Sequence, residues 1–98
     1  MVFFIRLKTG FFETKFCTMS VKDKTVRLFS EDLYNEKETI IRDSDILSVA
    51  IINRQKRPIE LEIHASEKIY TGHCIDTKFK DEISNAFLTE FGSKVHME

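Results

Sequence analysis

The residues of this chain best suited to chemistry lie in its second half, where Glu60, His64, His73 and Cys74 are close in sequence. Imidazole and thiolate are good zinc ligands, and a carboxylate beside a histidine can exchange protons with a substrate. A metal site is disfavoured, because His73 and Cys74 are consecutive and consecutive side chains of a strand point to opposite faces. We therefore expect no metal and no cofactor, with Cys74 buried and His73 exposed.

A proton-transfer site at Glu60, Glu62 and His73 would need a concave surface and a reacting group. The strand pairing predicted below puts these residues on a convex, solvated face. The sequence also contains no GxGxxG, P-loop, HExxH or GxSxG pattern. We predict that the chain is not an enzyme, and a small acid/base enzyme at Glu60 and His73 is the least favoured alternative.

The strands that carry these residues can be placed in register. A two-residue loop at Ser66-Glu67 puts every large apolar side chain of the strand before the loop on one side. The predicted opposite pairs are Ala65 with Lys68, Ile63 with Tyr70, Leu61 with Gly72, and Ile59 with Cys74. In the preceding strand, Leu47, Val49 and Ile51 share one face and Ile46, Ser48, Ala50 and Ile52 the other, which predicts a central, well-covered strand.

The sequence pattern predicts a series of β-strands followed by one helix. At 98 residues, with 42% hydrophobic and 32% charged residues, it is long enough for one domain with one core. The predicted strands are about 2–8, 13–21, 25–30, 37–42, 46–53, 58–65 and 68–75, and the predicted helix is about 77–91. The expected fold is mainly β (β+α), a seven-stranded antiparallel, partly open barrel capped by one C-terminal helix in a single domain, 1–98.

Signals at both ends define the predicted helix. Asp76 or Thr77 is a suitable N-cap, and Gly92 is a usual residue just after a helix. Its apolar stripe is formed by Phe79, Ile83, Ala86 and Phe87, widened by Leu88 and Phe91. This stripe is expected to close the open corner of the sheet.

Charge and cysteine content restrict the partners. With 15 basic and 16 acidic residues, the net charge is −1, so no broad positive field exists for nucleic acid, and we expect none to bind. The apolar start of the chain is interrupted at Arg6, too early for an export signal or a membrane span. Cys17 and Cys74 are expected to be reduced and buried rather than bridged. A cytoplasmic location is predicted.

Two stretches carry a family resemblance. The run Thr25-Val26-Arg27-Leu28-Phe29, then the run Ile40-Ile41-Arg42-Asp43-Ser44-Asp45-Ile46-Leu47-Ser48-Val49, together with the order of elements, resembles bacterial pleckstrin-homology-like (PH-like) and GRAM-like domains. The resemblance implies a PH-type barrel that binds peptides, proteins or lipid head groups. Phosphoinositide-binding members carry a basic cluster in the first hairpin loop, whereas residues 8–15 of this chain hold two lysines and one acid.

Two surface features could bind a partner. Phe11 and Phe12 in the first loop, with Lys8 and Lys15 beside them, could enter a membrane interface or a partner pocket. The favoured interpretation is that at least one of the two rings packs into the barrel mouth. Arg54, Lys56 and Arg57 form a local positive spot that could dock an anion or an acidic peptide, although a plain solvated hairpin is favoured there.

The leading functional hypothesis is a non-catalytic module that binds a protein or peptide, or a second copy of itself, by strand addition beside the helix. The proposed groove combines the fifth strand with one helix face. Its residues are Ser48, Ala50, Ile52, Asn85, Leu88 and Thr89. The alternative is a peripheral membrane module that uses Lys8, Phe11, Phe12 and Lys15 at lipid head groups.

Overall fold

The computed structural model describes residues 1–31, 36–75 and 80–98. They form a mainly β fold with one helix near the C-terminus. The strands are β1 (Val2–Lys8), β2 (Thr14–Lys22), β3 (Thr25–Glu31), β4 (Glu36–Arg42), β5 (Ile46–Ile52), β6 (Glu60–Ala65), β7 (Ile69–Cys74) and β8 (Val95–Met97), and the helix is α1 (Lys80–Phe91). Short 3₁₀ turns, Asp43–Asp45 and Gly92–Lys94, precede β5 and β8.

The strands form one sheet in the order β4-β3-β2-β1-β7-β6-β5-β8. All neighbours are antiparallel except β5 and β8, which run parallel. The predicted β-rich fold with a C-terminal helix is confirmed, whereas β8 was not predicted. The sheet is not closed, since β4 and β8 are its two end strands in the described part of the chain.

A tight turn determines the hydrogen-bonding pattern of the β2–β3 hairpin. Asp23 and Lys24 have φ values of 53° and 54°, and Lys22 lies opposite Thr25. Two residues in this left-handed conformation match the twist of the flanking strands. The turn therefore fixes which backbone groups of β3, and in turn of β4, point toward each neighbour.

The predicted pairing of β6 with β7 is confirmed. Leu61 lies opposite Gly72 and Ile63 opposite Tyr70, while the Cys74 amide donates to the Ile59 carbonyl. The alternation of large apolar and polar residues on β6 puts Leu61 and Ile63 inside in this register, whereas Ile69 of β7 faces outward and is 53% exposed.

The prediction for β5 is wrong at the first residues of the strand. Ile46 is 2% exposed, and Leu47, which was expected to share a covered face with Val49 and Ile51, is 66% exposed. A register shift between Ile46 and Ser48 is the cause. A bulge adds one residue to the strand, so the alternation of faces changes at that point.

The inward side chains of β1–β7 meet in one core, which shows that the sheet curls around it. Helix α1 adds Ile83, Phe87 and Phe91 to this core, and the Phe87 ring lies 6.3 Å from that of Phe3, edge to face. The helix ends at Phe91, and Gly92 follows with φ 53°, which confirms the predicted C-terminal signal. The predicted helix start, with Asp76 or Thr77 as N-cap and Phe79 in the stripe, lies outside the described residues.

Candidate functional site

An apolar stripe crosses the outer, solvent-facing side of the sheet. Phe4 and Phe16 are 52% and 51% exposed, and their rings stack with centroids 5.4 Å apart. Phe29 lies on the same level as Phe4, because Thr18 of β2 is opposite both. Val2, Phe4, Phe16, Phe29 and Ile75, all exposed, are called the outer stripe below.

The strands themselves explain why these side chains face water. Phe3 and Ile5 are buried, so Val2 and Phe4, which alternate with them along β1, must point outward. Phe16 points outward for the same reason, because its neighbour Cys17 is buried. The sequence signal was present, since Phe4 alternates with Arg6 on the outer face. Sequence reasoning missed the stripe because it needs the register of three strands, β1 to β3, to become one surface.

Basic side chains surround the outer stripe. Of the ionisable side chains that the structure describes on the outer face of β1 to β4, most are cationic and exposed. They are Arg6, Lys8, Lys22, Arg27 and Arg42, with Glu38 as the acidic member. Glu38 is paired with Arg27 at 3.1 Å. Among the side chains that the structure describes on β1 to β4, the stripe is thus flanked by five exposed cations, one of them paired with Glu38.

The loop between β1 and β2 presents a second apolar feature, the loop tip, formed by Phe11 and Phe12. These rings are 84% and 91% exposed and contact each other edge to face at 4.7 Å. The favoured interpretation that one of them packs into the barrel mouth is therefore wrong. The amide of Thr9 donates to the Glu13 carbonyl at 3.0 Å, which closes the base of the loop and leaves the rings outside.

The lysines predicted to act with the loop tip lie on opposite sides of the sheet. Lys8 is on the outer face with Arg6, whereas Lys15 is on the inner face with Cys17, opposite Leu7. Lys8, Phe11, Phe12 and Lys15 therefore lie around one loop, but the two cations face different cavities.

Below the loop tip on the outer face lies a cleft of about 420 Å³. Arg6, Lys8, Arg57, Glu60 and His73 line it together with the tip rings. The expectation that Glu60 and His73 have no concave surface is therefore wrong. Glu60 is engaged elsewhere in part, since its carboxylate lies 3.6 Å from the guanidinium of Arg54.

The predicted positive spot is divided by this arrangement. Arg54, Lys56 and Arg57 are all exposed, and Lys56 has a left-handed φ of 64°. Arg57 opens on the cleft, while Arg54 pairs with Glu60. The spot therefore contributes one cation to the cleft rather than a cluster of its own.

A larger cavity of about 890 Å³ opens on the inner side, at the mouth formed by the far ends of β1 to β4 and the start of β7. Its floor is formed by Cys17 and Leu28, both buried, and Lys15, Lys37 and Lys68 line its sides. The Lys68 ammonium lies 5.1 Å from the centre of the Tyr70 ring, a cation–π contact. This cavity is at the opposite end of the core from Phe3 and α1.

The predicted groove beside β5 is not assembled. Ser48, Ala50 and Ile52 are on the outer face, since they alternate with buried Val49 and Ile51, while α1 packs on the inner side. The helix members Asn85, Leu88 and Thr89 are exposed. The sheet therefore separates the two halves of the groove.

The edge of β5 is also occupied. Val49, Ala50 and Ile51 pair with β8 at Val95, His96 and Met97, and the amide of Asn53 donates to the Glu98 carbonyl at 2.9 Å. The expectation of a free β5 edge is wrong, because the C-terminal residues form a strand there.

The cysteines are free and buried. Ile5 of β1 lies opposite Cys17 on one side and Cys74 on the other. Burial raises the pKa of Cys74 to about 12 and raises the pKa of Cys17, which Lys15 partly opposes. Both thiols are therefore protonated and act as apolar core groups at neutral pH.

Residues 1–31, 36–75 and 80–98 contain neither a metal-binding cluster nor a membrane-spanning helix. Within those ranges no group of three or more His, Cys, Asp or Glu side chains could hold a metal ion, and no helix is long and apolar enough to span a bilayer. His73 and Cys74 lie on opposite faces, as predicted, with Cys74 buried.

Comparison with known proteins leaves the class of protein to be argued from its fold. No protein-family model matches the chain, and no curated protein matches its sequence significantly. The described residues form an open β sheet with a C-terminal helix packed on its inner side. The sheet carries an exposed apolar stripe on its outer face, an exposed loop tip and an inner cavity.

Proposed function

We propose that this chain is a non-catalytic interaction module that binds another protein through the outer stripe. The observation that carries the proposal is the stacked pair Phe4 and Phe16, both half exposed on the solvent face of a sheet. Single exposed apolar residues are common on monomers, whereas contiguous patches mark binding sites. Aromatic side chains are also enriched at the centres of protein interfaces.

The charge beside the stripe favours one kind of partner. Arg6 is exposed and lies opposite Phe16 of the stripe, so a partner surface with apolar side chains and acidic neighbours complements it. Complementary charge raises the association rate and rejects partners of the wrong sign. The expected ligand is therefore a protein or peptide segment that is both apolar and acidic.

The proposed fold family is PH-like. Its support is the order of elements, a four-stranded meander followed by β5, β6 and β7 and then a C-terminal helix that fills one end of a curled, open sheet. A cytoplasmic location is proposed as well, supported by Cys17 and Cys74, which are free and buried in the manner of proteins from reducing compartments.

Selection from a random peptide display library tests the proposal directly. With the full chain as bait, we expect enrichment of peptides that combine acidic with aromatic or aliphatic residues. Calorimetry should show that Phe4→Ser/Phe16→Ser removes binding, since it removes the two rings at the centre of the patch. The matched control, Phe11→Ser/Phe12→Ser, also removes two exposed rings and should bind normally.

Enrichment of peptides without acidic residues would contradict the charge argument. Binding that survives Phe4→Ser/Phe16→Ser but is lost in the loop-tip control would contradict the stripe itself and would move the site to the loop.

The second candidate function is attachment to a membrane surface through the loop tip. Its support is the exposure of both tip rings beside Lys8, with Arg6 and Arg57 in the cleft below. Burying a Phe side chain in an apolar phase gains about 1.5–3 kcal/mol, and each basic residue near an anionic surface adds about 1 kcal/mol.

Flotation of the full chain with vesicles of phosphatidylcholine and phosphatidylserine tests this candidate. It predicts flotation that weakens with salt, is lost in Phe11→Ser/Phe12→Ser and persists in Phe4→Ser/Phe16→Ser. Absence of flotation at low salt would refute it and leave the outer stripe as the functional surface.

A further inference from the structure

We propose that two copies of this chain pair through their β4 edges, antiparallel and centred on Ile40, to form a dimer with one continuous sheet. The partner is thus a second copy, and the contact lies outside the outer stripe. The inference goes beyond the proposed function and does not depend on it, because the backbone edge of β4 carries it.

The backbone phase shows which groups of β4 are available. The Asp43 amide donates to the Lys24 carbonyl at 2.9 Å, so Asp43 is in a position bonded to the β3 side. Antiparallel neighbours alternate between bonded and non-bonded positions. The N–H and C=O groups of Arg42, Ile40 and Glu38 therefore point away from β3, toward the edge.

In the described part of the chain, β4 has no strand on that second side. Unpaired backbone groups along an exposed edge are a template for another strand. The other sheet end offers less, because β8 has three residues whereas β4 has seven. The β4 edge is thus the longer docking edge for a strand from outside.

The side chains of β4 specify both the partner and the register. When Ile40 of one copy lies opposite Ile40 of the other, Glu38 of each copy lies opposite Arg42 of its neighbour. All three positions have outward-pointing backbone groups, so hydrogen bonding and charge pairing coincide in one register. Opposite charges at directly facing positions stabilise a sheet, and like charges destabilise it.

Shifting the register by two residues breaks this agreement. One shift puts Glu38 opposite Ile40 and the other puts Ile40 opposite Arg42, so in each case a charged side chain faces an apolar one. A strand whose charges are complementary to its own reversed sequence is best matched by a second copy, which makes self-pairing the specific outcome.

The inner side of the edge has room for the second strand. A cleft of about 400 Å³ lies between β4 and the β6–β7 turn, lined by Asp45, Glu67, Lys68 and Tyr70 among others. In the proposed register, Lys37 of the second copy lies opposite Asp43, just after β4, whose carboxylate is paired with Lys94 at 3.1 Å. The inner side thus leaves space beside the edge, and the pairs on the outer face specify the register.

The test uses the full chain, with mass measured by light scattering and by sedimentation equilibrium over a wide concentration range. We expect a concentration-dependent dimer. Glu38→Arg and Arg42→Glu should each weaken it by about tenfold or more, because both symmetric pairs become repulsive. Lys22→Glu, a charge reversal on the same face but on β2, two strands away from the edge, is the matched control and should leave the dimer unchanged.

Mixing the two edge variants gives the decisive measurement. The arginine introduced by Glu38→Arg then faces the glutamate introduced by Arg42→Glu, and the native Arg42 of the first variant faces the native Glu38 of the second. A heterodimer should therefore form although each variant alone is monomeric. Far-ultraviolet circular dichroism checks that these exposed substitutions leave the fold intact. The double variant Glu38→Arg/Arg42→Glu should dimerise with itself for the same reason.

Three results would overturn the inference. They are a wild-type chain that stays monomeric at the highest concentration, a dimer that persists in both charge-reversed variants, and a mixture that stays monomeric. A dimer abolished instead by Phe4→Ser/Phe16→Ser would show that the outer stripe, not the β4 edge, joins the copies.

Discussion

Replacing Gly72 by alanine tests the close approach that lets the sheet curl. Gly72 lies in β7, opposite Leu7 of β1 and Leu61 of β6. A Cβ atom at this position would be 2.7 Å from the Arg6 carbonyl oxygen and 2.9 Å from Cδ1 of Ile5. The oxygen belongs to the backbone of β1, which is held in register by β2 on its other side, so it cannot move aside at low cost.

The size of the effect follows from two opposing contributions. Overpacking a tight site lowers the free energy of unfolding by about 1–3 kcal/mol. Replacing glycine by alanine also restricts the unfolded chain, which raises the free energy of unfolding by about 0.4–1 kcal/mol. We expect Gly72→Ala to lower the free energy of unfolding by about 1–2 kcal/mol, which for a domain of this size lowers Tm by about 5–15 °C.

Urea unfolding followed by circular dichroism measures this loss. Gly10→Ala is the control, because the nearest atom to a Cβ there is Cβ of Glu13 at 3.6 Å, an ordinary contact. The control should stay within about 0.5 kcal/mol of wild type. A Gly72→Ala variant as stable as the control would refute the reasoning, since it would show that β1 and β7 can separate without cost.

Two further predictions concern exposure and burial. Phe11→Ser/Phe12→Ser should leave the free energy of unfolding within about 0.5 kcal/mol of wild type, because both rings are in water. Phe87→Ala should lower the free energy of unfolding by about 3–5 kcal/mol, because it leaves a cavity in the core. Equal losses in the two variants would contradict the exposed loop tip. Burial raises the Cys74 pKa from 9.0 to about 12, so the unfolded thiol ionises first and the free energy of unfolding should fall as pH rises above 9.0, by up to about 1.4 kcal/mol per pH unit. Urea unfolding across that range should show a shallower fall for Cys74→Ala, and equal slopes would contradict the pKa shift.

Local patterns in the sequence were sufficient for most of the fold. The β6–β7 register follows from a two-residue loop at Ser66-Glu67 and from apolar residues that alternate on β6, so only neighbouring residues are needed. Gly92 ends the helix for an equally local reason, since its φ of 53° suits glycine best.

Features that depend on distant residues were not predicted. Strand β8 has three residues and pairs with β5, about half the chain away. Neither its length nor the residues next to it in sequence therefore predict a strand. The sequence places Leu47 in phase with Val49 and Ile51. The bulge that turns Leu47 outward shows only in the pairing of β5 with β6.

The candidate site was predicted in part for the same reason. Phe11 and Phe12 are adjacent in one loop, and a reading of the sequence alone could identify them. Phe4, Phe16 and Phe29 belong to three strands, and each by itself resembles a core residue. Only the cross-strand register shows that they form one exposed surface.

The proposed edge pairing and the outer stripe would reinforce each other. Pairing two β4 strands in one sheet puts both outer faces on the same side, with the two Ile40 side chains between the two stripes. A partner with two apolar, acidic segments would then engage both copies, and its second contact would be intramolecular, which raises the apparent affinity without new contacts. Glu38 lies opposite Phe29, beside the stripe, so Glu38→Arg also changes the charge that a single acidic peptide meets. The ratio of the divalent affinity to the single-peptide affinity should therefore fall in this variant, because the dimer is lost while each stripe keeps its rings.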